Sequence, residues 1–266
     1  MNNRIENRLA ELKSQNKKAL ITYITAGCGG YEQTEEAVLA MEKAGSDIIE
    51  IGVPFSDPIA EGPIIQGASI KALNRNTTLA GIFEMVKRLR QKTDMPLVLM
   101  LYINTVFKYG VEKFFINCKE VGIDGIIVPD LPFEEFDEIN PTAEKYGIIS
   151  ISLVTPVSYD RIEKIAKSAK GFLYCVSSTG VTGVREHLNT NFADFLERVK
   201  KHSAIPNILG FGISTAEQAK YLKQFSDGII VGSAIVRLID EDDRAGSTKR
   251  ITELTTSLRE ALDTQD

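Results

Sequence analysis

Eight short apolar runs, separated by amphipathic stretches and spread over 266 residues without a break in composition, predict an α/β fold. The expected architecture is a single-domain (β/α)8 TIM barrel over residues 1–266 with an extra N-terminal helix. Near-continuous apolar runs mark parallel strands covered on both faces, and strand–helix alternation eight times over is what such a barrel repeats. A chain of about 250 residues is an ordinary size for one such unit. An open doubly wound sheet shares the alternation, but the number of strands and the lack of an early Gly-x-Gly-x-x-Gly turn favour the barrel.

The elements follow in order. Asn2–Lys13 reads as the extra helix, closing the bottom of the barrel. The strand runs are Ala19–Thr25, Ser46–Ile51, Pro96–Tyr102, Gly125–Pro129, Ile148–Val154, Gly171–Val176, Pro206–Phe211 and Asp227–Val231. Between them, Thr34–Ala44 sets Ala37, Val38, Met41 and Ala44 on one stripe before the stop at Gly45. Leu79–Arg90 carries Ile82, Phe83, Val86 and Leu89 at helical spacing. Val111–Val121, Glu134–Tyr146, Tyr159–Ala169, Phe192–His202 and Thr215–Phe225 follow the same logic, and Thr248–Leu262 ends the series. The connection after the second run is long and holds a loop, Val53–Pro63, and a helix, Ile64–Leu73.

Composition narrows the function. The net charge is −5, from 31 basic and 36 acidic residues, which argues against binding by phosphate neutralisation, so no nucleic-acid partner is expected. The only histidines are His187 and His202, too few for a multi-histidine metal site, and no metal is expected. Cys28, Cys118 and Cys175 are an odd number without Cys-x-x-Cys spacing, which fits a reducing compartment. The opening residues MNNRIENRLAELKSQNKK lack the apolar run of a signal peptide, and no stretch approaches the ~18 apolar residues of a membrane span. A cytoplasmic location is expected.

In such barrels the chemistry sits where strands end at the C-terminal face. Along the second run, side chains alternate. If Ile49 and Ile51 face the helices, then Ile48 and Glu50 face the barrel interior. An unpaired carboxylate there is disfavoured as an anion, so its pKa rises into the range useful for proton transfer. The plainer alternative is a strand-end glutamate paired with a neighbouring Lys or Arg. In the loop Val53–Pro63, Glu61 is either a second carboxylate at the mouth or a solvated loop acid; both stay open. Glycine-rich turns follow the last three runs: Ser177–Gly183, Gly210–Ser214 and Gly232–Ile235. Backbone N–H groups at such turns, with a short helix Ala234–Ile239 after the last one, suit a phosphate without any Lys or Arg. These features point to a metal-free barrel enzyme with a small phosphorylated substrate and carboxylate chemistry.

The segment Glu50-Ile51-Gly52-Val53-Pro54-Phe55-Ser56-Asp57-Pro58, with Gly62-Pro63 and Ile65-Gln66, carries a more specific message. So do Pro129-Asp130-Leu131-Pro132, Gly180-Val181-Thr182-Gly183, Gly210-Phe211-Gly212-Ile213-Ser214 and Gly232-Ser233-Ala234-Ile235-Val236. Through these the chain resembles the tryptophan synthase alpha subunit family, nearly end to end. The resemblance implies a lyase of tryptophan biosynthesis, an indole-3-glycerol-phosphate aldolase that releases indole and glyceraldehyde 3-phosphate. It implies Glu50 as the general acid/base and Glu61 at the place of a second catalytic acid. It implies a substrate pocket with Tyr23, Met100, Ile127, Tyr174 and Phe211, and Thr182 in a lid. Gly183, Gly212, Gly232 and Ser233 match the phosphate site. The implied partner is a beta subunit that holds pyridoxal phosphate and takes indole through a tunnel, in an alpha2beta2 heterotetramer. Pro54 and Asp57 fall in the loop that meets it, and no cofactor is implied in this chain. Three positions depart from the family pattern. Glu61 stands where the family has Asp, Gly27-Cys28-Gly29 where it often has Gly-Asp-Pro, and Ser178 where many members have Arg. A stand-alone indole lyase, a non-catalytic regulatory subunit and another phosphate-binding barrel are the competing readings.

Overall fold

The structure, a computed structural model, describes residues 3–176, 190–210 and 212–264. Its strands are β1 (Ala19–Thr25), β2 (Ile48–Gly52), β3 (Leu97–Met100), β4 (Gly125–Ile127), β5 (Ile149–Ser150), β6 (Ser152–Val154), β7 (Leu173–Val176), β8 (Asn207–Gly210) and β9 (Gly228–Val231). Every paired neighbour is parallel, in the order β5-β4-β3-β2-β1-β9-β8-β7-β6. The two ends of that order, β5 and β6, are pieces of one predicted run, Ile148–Val154. The ladder to β4 ends at Ser150 and the ladder to β7 begins at Ser152, so Ile151 is where this run changes neighbour. The ring closes through it, and the eight predicted runs each supply a wall position.

Alternation sorts each strand's side chains into two cores. Ile21, Ile48, Val98, Ile127, Ile151, Phe172, Ile208 and Ile230 meet inside the barrel. Leu20, Ile24, Ile49, Ile51, Leu97 and Leu99 face outward and pack with helical residues such as Val38, Met41, Phe83 and Val86. The helix Arg4–Ser14, capped by the Asn3 side chain, lays Ile5, Leu9 and Leu12 against the interior cluster. Full burial of one such side chain contributes about 1.5–3 kcal/mol, so this plug stabilises the open bottom of the ring substantially.

Several helices differ from the sequence expectation. The second helix is Tyr31–Lys43, opening three residues before the expected Thr34, directly after Gly30. The expected helix Glu134–Tyr146 is a 3-10 turn, Phe133–Glu138, followed by a helix, Asn140–Tyr146. Pro141 lacks the N–H that a continuous helix needs at that point, and it starts the second piece instead. The expected helix Tyr159–Ala169 is likewise a 3-10 turn, Pro156–Arg161, and a helix, Ile162–Ser168. There, a capping box between Thr155 and Ser158 tightens the first turn. The short helix after the last strand is Ser233–Val236 rather than Ala234–Ile239; Leu238 and Ile239 continue it only as tight turns. One helix, Ile103–Tyr109, was not anticipated.

Three aspartates, each directly preceding a strand, peg the lower rim. Asp47 accepts the Leu20 N–H at 2.7 Å, Asp124 the Leu97 N–H at 2.8 Å and Asp227 the Asn207 N–H at 2.9 Å. Each bond ties the start of one strand to the start of its neighbour. Asp47 is paired with Arg8 at 2.7 Å and Arg259 at 3.1 Å, and Asp124 with Arg4 at 2.9 Å and Arg90 at 2.7 Å. Removing one partner of a buried pair leaves the other charge uncompensated. Asp124→Ala is therefore expected to cost about 3–5 kcal/mol, read as a lower urea midpoint, because the Arg90 side chain is only 11% exposed. Asp124→Asn, which keeps an acceptor for Leu97, should lose less.

Candidate active site

Glu50 lies on β2 between Tyr23 of β1 and Val98 of β3. Two residues earlier on the same face, Ile48 belongs to the interior core, so Glu50 continues that inward row toward the mouth. The side chain is 2% exposed, and its Oε2 is buried with no hydrogen-bond partner. No ion pair includes Glu50 among the described residues, which sets aside the strand-end salt bridge that the sequence left open. Burial, and behind it the charge of Glu61, push its carboxyl up to about 8.

Glu61, at the end of the loop after β2, is half-buried rather than solvated. Its carboxylate accepts the hydroxyl of Tyr102, and Gln66 Nε2 donates to its backbone carbonyl at 2.8 Å. Desolvation raises its pKa, while the Tyr102 bond pulls the other way and the charge of Asp130 adds to the rise. Tyr102 ends the third predicted run, and the sequence reading did not single it out. A polar-tipped ring at the C-terminal end of a barrel strand was the available signal. Asp130, in the loop after β4, accepts the Ile103 N–H at 3.0 Å.

The surrounding wall is aromatic and apolar. Met100 of β3 pairs in register with Ile127 of β4, and Tyr174 stands on β7. Tyr23 is buried, with its hydroxyl 3.1 Å from Thr25 Oγ1. Two glycines make room for the tyrosines. A Cβ at Gly52 would lie 2.1 Å from the Tyr23 hydroxyl, and one at Gly210 would lie 2.5 Å from the Tyr174 ring. Gly212 follows β8, Gly232 follows β9, and Ser233 opens the short helix beyond it. Pro54 is buried and Asp57 exposed in the loop after β2. Thr182, Gly183 and Phe211, expected in the lid, phosphate site and pocket, lie outside the described residues. Among the described residues, no group of three or more His, Cys, Asp or Glu is placed to hold a metal ion, and no helix is long and apolar enough to cross a membrane.

Comparison with known proteins agrees with this geometry. A family profile described as "Tryptophan synthase alpha chain" matches residues 9–264. The chain belongs to the tryptophan synthase alpha chain family. A tryptophan synthase alpha chain from Thermoanaerobacter sp. is 49% identical over 261 residues, covering 98% of this chain and 100% of that one. The solved tryptophan synthase alpha subunit of Legionella pneumophila superposes with a TM-score of 0.91 at 36% identity, covering 99% of both chains. A chain in the solved tryptophan synthase of Mycobacterium tuberculosis matches with a TM-score of 0.90 at 31% identity, covering 100% of both. In this alpha chain the family's carboxylate segment therefore sits on a barrel whose walls match solved members throughout.

The buried carboxyl also carries a cost that pH reveals. Its folded pKa, about 8, lies above that of an exposed glutamate near 4.5. Between those values the unfolded chain has released the proton that the folded chain keeps, so stability falls as pH rises through this window and levels off above it. Glu50→Gln removes that dependence. Denaturant midpoints at pH 5, 7 and 9 should show the variant gaining on the parent chain as pH rises from about 4.5 to about 8.

Proposed function

We propose that Glu50 and Glu61 carry the reaction of this family, the retro-aldol cleavage of indole-3-glycerol phosphate to indole and glyceraldehyde 3-phosphate, and that the indole passes to a beta subunit. The observation that carries this reading is the Glu50 carboxyl, buried at the inner end of β2 with its Oε2 lacking a hydrogen-bond partner, an environment that favours the neutral acid. A neutral carboxyl donates its proton to indole C3. The ring becomes an indolenine cation, and the bond from C3 to the glycerol carbon is weakened. The glycerol hydroxyl then returns a proton to Glu50 as its oxygen becomes the aldehyde carbonyl. The electrons of the broken bond flow back into the ring, restoring indole and leaving Glu50 protonated for the next turnover.

Glu61 has the complementary task. Its carboxylate accepts the indole N–H, and that bond strengthens as positive charge develops on the ring, so it favours the transition state over the ground state. The flat walls at Tyr23, Met100, Ile127 and Tyr174 suit an indole. Backbone N–H groups near Gly183, Gly212, Gly232 and Ser233 hold the phosphate. Pyridoxal phosphate belongs to the beta subunit, which supplies the chemistry that consumes indole. Three of the exposed large apolar side chains support such a partner: Ile59, Phe107 and Val157, on segments following β2, β3 and β6 at the mouth. Pro54 and Asp57 share the first of these segments. Three buried, unpaired cysteines suit a reducing compartment, and the reading extends to the cytoplasm.

Four measurements test the reading. Glu50→Gln should lower cleavage at least ~10²-fold with substrate binding retained; turnover at the wild-type rate removes Glu50 from the mechanism. Glu61→Ala and Glu61→Gln should both lose most activity, with Glu61→Asp retaining part. Gly212→Val, at a backbone φ of +63° that a branched side chain resists, should raise KM by disturbing the phosphate cradle. Addition of a beta subunit should speed cleavage by favouring the closed loops; full activity without any binding to it supports a stand-alone lyase instead.

A further inference from the structure

We propose that Tyr102 is a positioning residue that holds Glu61 as an oriented, ionised acceptor, and that the loop after β2 is anchored by the same hydroxyl. The proposal rests on the role given to Glu61 above. Its evidence is the hydrogen-bond inventory of one oxygen. The Tyr102 hydroxyl accepts the Ile59 N–H and the Ala60 N–H, each at 2.9 Å. A phenolic oxygen has two lone pairs and one proton. With both lone pairs occupied by loop amides, the proton is left to point at the remaining neighbour, the Glu61 carboxylate. Glu61 is therefore required to accept at that oxygen, and such a bond is stronger when the acceptor is ionised.

The anchor itself is rigid. Tyr102 is buried, and the ring of Phe55 stacks on it with centroids 4.8 Å apart and 19° between planes. Phe55 lies in the loop that Tyr102 grips by its amides, so ring and hydroxyl clamp the loop at two points. The residue lies two positions beyond β3 and leads into the helix Ile103–Tyr109, whose first N–H is held by Asp130. The groups facing Glu61 are Glu50 from β2, Tyr23 from β1, Tyr102 after β3 and Asp130 after β4. Burial and the charge of Asp130 oppose its ionisation, and Tyr102 is the side-chain donor that favours it. A glutamate has one more rotatable bond than an aspartate. The Tyr102 bond removes that freedom and sets the carboxylate where a ring N–H meets it.

The test is cleavage of indole-3-glycerol phosphate against pH for wild type, Tyr102→Phe, Glu61→Gln and the double variant, each assayed as the full chain with beta subunit. Tyr102→Phe keeps the ring and its stack on Phe55. It should lower kcat by up to about 10²-fold, the scale of a misplaced catalytic group, while KM changes little. Loss of a bond to the ionised form should also move the acid limb that reports Glu61 to higher pH by about one unit. Adding Tyr102→Phe to Glu61→Gln should cost nothing more, because both act through one carboxylate. A carbon-13 carboxyl titration of the unliganded chain reads the same shift without turnover. If Glu61→Gln cleaves normally, the role of Glu61 fails and this proposal falls with it. If Glu61→Gln is inactive but Tyr102→Phe keeps the wild-type kcat and acid limb, only the positioning role is overturned. A Tyr102→Phe variant with lower stability, an unmoved limb and an additive loss in the double variant makes Tyr102 a structural brace and also overturns it.

Discussion

Strand register is the constraint on which the site depends. The side-chain period of a strand is two, so a slip of one residue would turn Glu50 out toward the helices and Ile49 or Ile51 into the mouth. The peg against that slip is Asp47, the residue before β2, whose carboxylate holds the Leu20 N–H of β1. Asp47 is in turn neutralised by Arg8 near the start of the chain and Arg259 near its end. The position of a proton carrier at the top of the barrel is thus secured by an ion cluster at the bottom.

Once register places two carboxyls in one mouth, environment separates them. Glu50 is surrounded by apolar wall and has an oxygen with no partner, which favours the protonated acid. Glu61 sits at the loop edge, half-buried, with a tyrosine hydroxyl donating to it, which favours the anion. The charge of Glu61 also discourages Glu50 from ionising, so the charge settles on the residue that has the donor. The same side-chain type yields one proton donor and one charge stabiliser, and the difference comes from neighbours rather than from the residues themselves.

The strands were legible because burial on both faces leaves a run of apolar residues with few alternatives, and the inward parity of Glu50 followed from Ile49 and Ile51. The branching of the helices at Pro141 and after Pro156 was less legible, since apolar spacing continues across both breaks while the backbone does not. The division at Ile151 carries no local signal: Ile148–Val154 reads as one apolar run, and the change of neighbour arises only from closing the ring. The aspartate pegs were visible in principle as an Asp at or just before the start of three of the apolar runs, yet an Asp there also reads as an ordinary turn residue. Glu61 illustrates the same limit. Its local surroundings are those of a solvated loop, and the contact that draws it inward comes from Tyr102, distant in sequence. Where the resemblance to the family spoke, it spoke for residues that the local pattern left undecided.

The broken fifth strand gives the wall an uneven grip. Only two residue pairs join β4 to β5, against five between β1 and β2. Amide protection follows local stability, and local opening begins where fewest bonds must be surrendered. The seam of this barrel lies three wall positions away from β2, on the far side of the cavity from the aspartate-pegged pair β1 and β2. Amide exchange in the wall is accordingly expected to set in first at this seam and last along β1 and β2, where Glu50 stands.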